Sequence, residues 1–256
     1  MKFLFNTFIY EPLYNGLVFL MDILPFIDAG IAIIIFTVII KIILFPLSKK
    51  AVVTQLKMKK LEPELNKIKE KKKDPQEQAL AVMQFYKENG INPFSSLFLI
   101  LIQIPIIFAL YFIFYKGGLP EINSDILYSF VPSPEVNMNF LGLMDIAKKS
   151  LLLAVLVGLT QFFQIRLSMP PSPAKLSPGA SFKDSFMKSF QFQMRYIMPV
   201  FIAIVAYNIS GAICLYWITS NVFAIGQELY IRKTLYNNSK HKEQPAKIAK
   251  EAVPAK

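Results

Sequence analysis

AGIAIIIFTVIIKIILFPL, residues 29–47, decides the reading of this chain: nineteen residues with a single charge, Lys41. As a helix it would reach ~28 Å at ~1.5 Å per residue, close to a bilayer core of ~30 Å. Working outward, the same kind of window returns. Residues 95–115 hold no charge, and Asn92-Pro93 just before them suits an N-cap and a first helical residue. A third window covers 150–167. Residues 196–231 carry only Glu228, which is too long for one helix, and Asn208-Ile209-Ser210-Gly211 divides it. Two helices are therefore expected there, about 191–207 and 210–231. The chain reads as an all-α polytopic membrane protein with five transmembrane helices.

Composition agrees once its distribution is considered. The net charge of +11 could mean nucleic acid, which a soluble domain would meet with a basic stripe. Here the lysines flank apolar windows instead, so lipid is the expected partner and DNA is not. One Cys, Cys214, and one His, His241, exclude a disulfide framework and argue against a metal centre. No GxxxxGK[ST] loop appears, so no nucleotide or other cofactor is expected.

Loop charge sets the orientation. Residues 48–90 carry Lys49, Lys50, Lys57, Lys59, Lys60, Lys67, Lys69, Lys71, Lys72, Lys73 and Lys87, whereas 116–149 carry only Lys116, Lys148 and Lys149. The first loop and the C-terminus are expected in the cytoplasm, and 116–149 together with the N-terminus outside. The cytoplasmic segment 48–92 reads as a helical hairpin. Pro63 can open one helix, and Asp74-Pro75-Gln76-Glu77 reads as N-cap, first residue and capping-box Glu of the next. Ala79, Val82, Met83 and Tyr86 would form its face, and Asn89-Gly90 its stop. The loop 168–190, with four prolines, looks flexible, and 232–256 looks like a basic disordered tail.

Residues 1–28 allow two readings. Residues 3–21 are long enough to span, but Glu11-Pro12 sits mid-segment and only Lys2 flanks it. Leu13, Leu17, Leu20 and Leu24 share a face, with Asn15 and Asp22 off it. That favours an interfacial amphipathic helix.

The candidate site lies in the spans. A charge at the membrane centre costs at least ~2.5–3.5 kcal/mol, so Lys41 is a functional candidate. Lying six residues before Leu47, it is also near enough to the helix end to snorkel, which is the plain alternative. Gln103, Thr160, Gln161, Gln164, Thr219, Ser220 and Asn221 are polar residues in other spans. Singly each could be an ordinary interhelical hydrogen bond; together with Lys41 they could line a wet cavity.

Five segments resemble the YidC/Oxa insertase superfamily. They are IIIFTVIIKIILFPLSKK (33–50), MKKLEPELNKIKE (58–70), NPFSSLFLILIQIPIIFALY (92–111), GLTQFFQIRLS (158–168) and MPVFIAIVAYNISGAICLYWITSNVFAIGQ (198–227). In that family a basic residue, normally Arg, stands five positions before a Pro-Leu pair, and Lys41 precedes Pro46-Leu47 by that spacing. The resemblance implies five spans around a hydrophilic groove, open to the cytoplasm and lipid and closed to the outside. It implies that Lys41 sits in the groove with Gln164 and Trp217 as neighbours. Gln103 and Pro105 would lie on the lipid-facing side, where clients pass. It further implies a bacterial plasma-membrane insertase and chaperone acting on nascent membrane proteins without nucleotide hydrolysis. The basic tail and hairpin could contact the ribosome through its RNA, with a solubilising or lipid-headgroup tail as the equal alternative, and the sequence leaves open whether a Sec translocon is a partner.

Two rivals come from other classes. A small-solute or anion transporter could use Lys41 in a wet cavity, but no internal repeat is visible. A membrane enzyme would need a nucleophile or acid pair, and Glu228 is the only carboxylate in the spans, so no enzyme is expected. The short window 196–207, ~18 Å as a helix, would favour local bilayer thinning unless the helix starts earlier.

Orientation is testable directly. In a Cys214→Ser background, Lys72→Cys and Glu135→Cys should react with impermeant thiol reagents from opposite sides of the membrane. Labelling of both from outside contradicts the expected topology.

Overall fold

Three helices start where a polar side chain takes over one of the first unpaired N–H groups. A computed structural model describes residues 2–71, 74–92, 95–115, 119–169 and 189–251. In chain order its helices are α1 (Lys2–Phe5), running through a π-helical turn, Asn6–Tyr10, into α2 (Glu11–Ile23). Then come α3 (Ala29–Ile43), α4 (Phe45–Lys71), α5 (Pro75–Glu88), α6 (Ser95–Tyr115) and α7 (Leu151–Ser168). A second π-helical turn, Gln193–Ile197, leads into α8 (Met198–Tyr207), and α9 (Gly211–Glu251) follows. Asp28, Asp74 and Ser150 accept from the backbone N–H of Ile31, Glu77 and Leu153 respectively, capping α3, α5 and α7.

Several boundaries differ from the sequence reading. The window 29–47 is not one straight helix: α3 and α4 meet at a bend of 64°. Pro46 has no N–H for the carbonyl four residues back, so the ladder breaks there. Leu44 N–H still reaches Ile40 O at 2.9 Å, and Ser48 N–H restarts the ladder on Leu44 O at 3.0 Å. Pro63 opens no helix but lies inside α4, on its exposed side, where water can serve the freed carbonyl. In α5 the half-buried side is Gln78, Val82, Phe85 and Tyr86, while Ala79 and Met83 are exposed. The fourth apolar helix spans Ser189–Tyr207, 19 residues, so the argument for thinning from a 12-residue helix falls. The tail expected to be disordered from 232 continues α9 to Glu251. No Gly or Pro marks the expected boundary, and the Glu228–Arg232 pair at i,i+4 bridges it. Pro93 and most of the loop 168–190 lie outside the described residues.

By length and composition, Leu151–Ser168 and Ser189–Tyr207 can each cross a membrane, and α3 with α4 can do so as a bent pair. Leu101–Phe114 within α6 is a shorter apolar helix. The core gathers Tyr14, Leu17 and Val18 of α2, Ala32 and Ile33 of α3, and Leu110 and Ile113 of α6. Val157 of α7 and Cys214 to Tyr216 of α9 complete it. Against this core α9 packs along both α3 and α7, and α8 packs along α7. The α7–α8 seam is very close, since a Cβ at Gly158 would stand 2.9 Å from Ala203 Cβ and 3.2 Å from Pro199 O. Small residues at such seams let membrane helices approach.

The segment 119–150 packs on the N-termini of α3 and α9 and adds what an all-α reading missed, a two-stranded antiparallel hairpin of β1 (Asn139–Phe140) and β2 (Met144–Asp145). The hairpin is held by helix termini with free N–H groups. Ala29 N–H donates to Asn137 O at 2.8 Å, Gly211 N–H to Lys148 O at 2.9 Å and Ala212 N–H to Ile146 O at 2.9 Å. Gly30 leaves room for the Phe140 ring, which a Cβ there would meet at 2.2 Å. Lys148, 3.1 Å from Asp145, and the Ala147 N–H hold the Asp145 carboxyl below the ordinary carboxylate range.

The same segment binds α2, which packs on α3 and α6. Leu17 and Leu20 of the expected stripe are buried, but so is Asn15, which helical spacing sets off that stripe. Its amide donates to Glu11 O at 2.9 Å and Ile126 O at 2.8 Å, and its oxygen accepts from Tyr128 N at 2.7 Å. Tyr14 Oη accepts from Asn123 N at 2.8 Å. Asn15→Leu should therefore lower stability by about 1–3 kcal/mol, the cost of buried backbone groups left unpaired. Thermal unfolding in nanodiscs measures it, with the exposed Phe19→Leu as control; equal midpoints would show that this contact does not hold the segment.

Candidate functional site

Lys41 sits in the last turn of α3. Its ammonium donates to Gln103 Oε1 on α6 at 3.1 Å, and Gln103 Nε2 donates to Tyr216 Oη on α9 at 2.5 Å. One chain of polar atoms thus joins three helices. The resemblance puts Gln103 on the lipid side; its amide instead turns inward to Lys41 and Tyr216. Pro105, two residues further along α6, is half-buried inside the helix. Tyr216 is a residue the sequence reading missed. The available signal was a Tyr in a long apolar window, since a buried hydroxyl needs a partner.

A second group forms the α7–α9 seam. Thr160, Gln161, Gln164 and Ser168 recur at three- and four-residue spacing on one face of α7. Asn221 Nδ2 donates to Thr160 Oγ1 at 3.2 Å, and Trp217 Nε1 donates to Gln161 Oε1 at 3.1 Å. Gln161 Nε2 donates to Gln164 Oε1 at 3.2 Å, and Gln164 Nε2 to Ser168 Oγ at 3.4 Å. Ser220 is buried on α9, one turn beyond Tyr216. Gln164 and Trp217 therefore belong to this row and are not hydrogen-bonded to Lys41, which uses Gln103.

Towards α4, at the end of the bundle away from the β-hairpin, the row closes on an ion pair. Ser168 Oγ donates to Glu228 Oε2 at 2.5 Å, Arg232 Nη2 pairs with Glu228 Oε1 at 2.5 Å, and Arg232 Nη2 reaches Leu167 O at 2.6 Å. Arg232 thereby occupies an orphan carbonyl in the last turn of α7. Gln227 Nε2 to Ser48 Oγ at 2.5 Å and Gln55 Nε2 to Ser168 O at 2.8 Å tie α4 to the same corner. Beside it Phe45, Phe223, Gly226, Gln227 and Tyr230 line an open pocket of about 450 Å³. Arg232, Ser168, Ser48 and Gln55 lie at or beyond the expected span ends, where sequence gives no reason to prefer one polar residue over another. Among the described residues no group of three His, Cys, Asp or Glu side chains is placed to hold a metal.

Comparison with known proteins matches this architecture. The family model described as 60Kd inner membrane protein covers residues 20–240. A relative from Fusobacterium nucleatum, named membrane protein insertase YidC, is 32% identical over 230 residues, covering 89% of this chain and 98% of that protein. One of the same name from Clostridium tetani is 31% identical over 215 residues, covering 84% of this chain and 86% of that protein. A crystal structure described as an active YidC insertase with its first transmembrane domain resolved is similar in fold. It has a TM-score of 0.50 at 23% identity, and the match covers 85% of this chain and 45% of that one. The chain belongs to the 60Kd inner membrane protein family, within the YidC/Oxa superfamily that its five sequence segments resemble.

Proposed function

We propose that this chain is an insertase that takes nascent membrane proteins from the cytoplasm into the bilayer along the polar face of α3, α6, α7 and α9, without nucleotide hydrolysis. Five spans enclose that groove: α3 with its bend, α6, α7, the helix ending in α8, and the first half of α9. The hairpin of α4 and α5 and the end of α9 face the cytoplasm; segment 119–150 and the N-terminal helix lie outside, the latter along the interface. The insertase names of relatives matched over most of their length support this reading. So does the lysine asymmetry of the loops.

The observation that carries it is the state of Lys41. Its ammonium is met by a neutral amide, Gln103, and among the described residues it forms no ion pair. Its charge is therefore available to a client carboxylate. A client helix needs no fuel, because each Leu-like residue at its centre gains ~0.3–0.6 kcal/mol on insertion. The obstacle is the passage of polar flanks. At ~4 Å and an effective dielectric of ~20, a carboxylate is attracted to Lys41 by ~4 kcal/mol before desolvation is subtracted, which gives a weak site suited to release. Acting as a chaperone follows from holding clients in that way. The basic C-terminal segment and hairpin offer a cationic surface to ribosomal RNA, and the Sec translocon is a further partner on this reading.

Two sets of variants test it, in liposomes holding the pure protein and single-span clients that differ only in outer-tail charge. Lys41→Arg should retain insertion, Lys41→Ala should impair acidic-tailed clients more than neutral ones, and Lys41→Glu should be worst for acidic tails. Wild-type insertion of both clients by Lys41→Ala would reduce Lys41 to a snorkelling residue. Gln103→Glu gives a sharper contrast. A carboxylate at hydrogen-bond distance should engage Lys41 in the protein itself, so acidic-tailed clients should lose their advantage while the protein stays folded. An unchanged preference for acidic tails would mean that the Lys41 charge is not what clients read.

A further inference from the structure

The tip of the hairpin in 119–150 has a conformation and a composition that its own fold does not explain. Leu141 and Gly142 both have positive φ, 53° and 69°, in a turn closed by Leu143 N–H on Phe140 O at 2.9 Å. A turn with two successive left-handed residues favours Asn-Gly, and a leucine in the left-handed region is costly. Packing does not compensate, because Leu141 is 57% exposed and Leu143 79% exposed. Phe26, two residues before the α3 cap, is 82% exposed as well. The base of the hairpin is polar, with Asn139 exposed and Asp145 paired to Lys148.

The height of this tip is fixed by a hydrogen bond. Leu141 N–H donates to Asp28 Oδ2 at 2.9 Å, while Asp28 Oδ1 caps α3 through Ile31 N–H at 3.0 Å. Asp28 is the residue at which the chain enters its first apolar window. A side chain held at that level stands where the hydrocarbon begins. Two leucines and a phenylalanine directed away from the protein there meet the boundary between headgroups and acyl chains.

We propose that Leu141, Leu143 and Phe26 form a lipid anchor that dips into the leaflet at this end of the bundle. The partner is the bilayer surface. Immersion of the two leucines offsets the cost of the left-handed turn, and the anchor holds 119–150 at a set depth over the N-termini of α3 and α9. This rests on the chain being a membrane protein and not on the insertase reading.

The test measures depth in the full chain in nanodiscs, in a Cys214→Ser background. Leu143→Cys and Phe26→Cys carry a nitroxide, with Glu135→Cys as the aqueous reference and the exposed Phe201→Cys, midway along α8, as the lipid reference. Both side chains are largely exposed, so neither substitution removes core packing. Both labels should collide readily with oxygen and poorly with a water-soluble nickel chelate, at a depth of about 5–10 Å, as for an interfacial apolar face. A label at Leu143 as open to nickel as that at Glu135 overturns the proposal. So does one shielded from both reagents, which would mean that a protein surface covers the tip.

Discussion

A polar side chain at bilayer depth finds no water and must be satisfied inside the protein. In this chain the satisfying partner is repeatedly on α9. Tyr216 ends the chain from Lys41, Trp217 and Asn221 meet α7, Gln227 meets α4, and Glu228 with Arg232 fastens the end of α7. The first half of α9 is therefore both apolar enough to be buried and polar enough to organise its neighbours. Its packing along α3 and α7 places the only charge of the first window beside a glutamine from α6.

The two ends of the bundle are built differently. At the end that carries 119–150, backbone N–H groups of α3 and α9 bond to loop carbonyls, and large apolar side chains such as Ile146 are fully buried beneath. At the other end the ties are side chain to side chain or side chain to carbonyl, among Ser48, Gln55, Ser168, Gln227 and Arg232. Backbone pairs are specified by the fold and change with difficulty. Side-chain pairs can exchange with water or with an arriving polypeptide at a smaller cost. One end is thus tied largely through backbone groups, with Asn15, Tyr14 and Asp28 added, and the other through side chains.

Much of this was legible in the residues. Apolar windows, free of charge in 95–115 and with only Arg166 in 150–167, marked the helices α6 and α7 nearly to the residue, because hydrophobic length is a property of the segment alone. Asp74-Pro75-Gln76-Glu77 announced α5 by its own capping chemistry. Polar residues inside the apolar windows, Tyr216 apart, were recognisable one by one, but their pairing was not. Whether Lys41 meets Gln164 or Gln103 depends on the rotation of three helices about their axes, and a uniformly apolar helix such as α6 has no amphipathic stripe to fix it. Asn15 was misread for a related reason. Two of its three partners, the Ile126 carbonyl and the Tyr128 amide, are more than a hundred residues away, on a loop without periodicity.

The close seam at Gly158 bears on how the molecule responds to wetting. Hydrogen bonds such as Trp217 to Gln161 weaken when water enters and the local dielectric rises. The contact of Gly158 with Ala203 and Pro199 is dispersion between close-packed atoms, which the dielectric hardly alters. Flooding of the polar face would therefore loosen α9 from α7 while leaving α7 and α8 joined. What would still hold α9 to α7 is the apolar packing around Leu153 and Val157, so the two seams of α7 differ in how much of their hold depends on dryness.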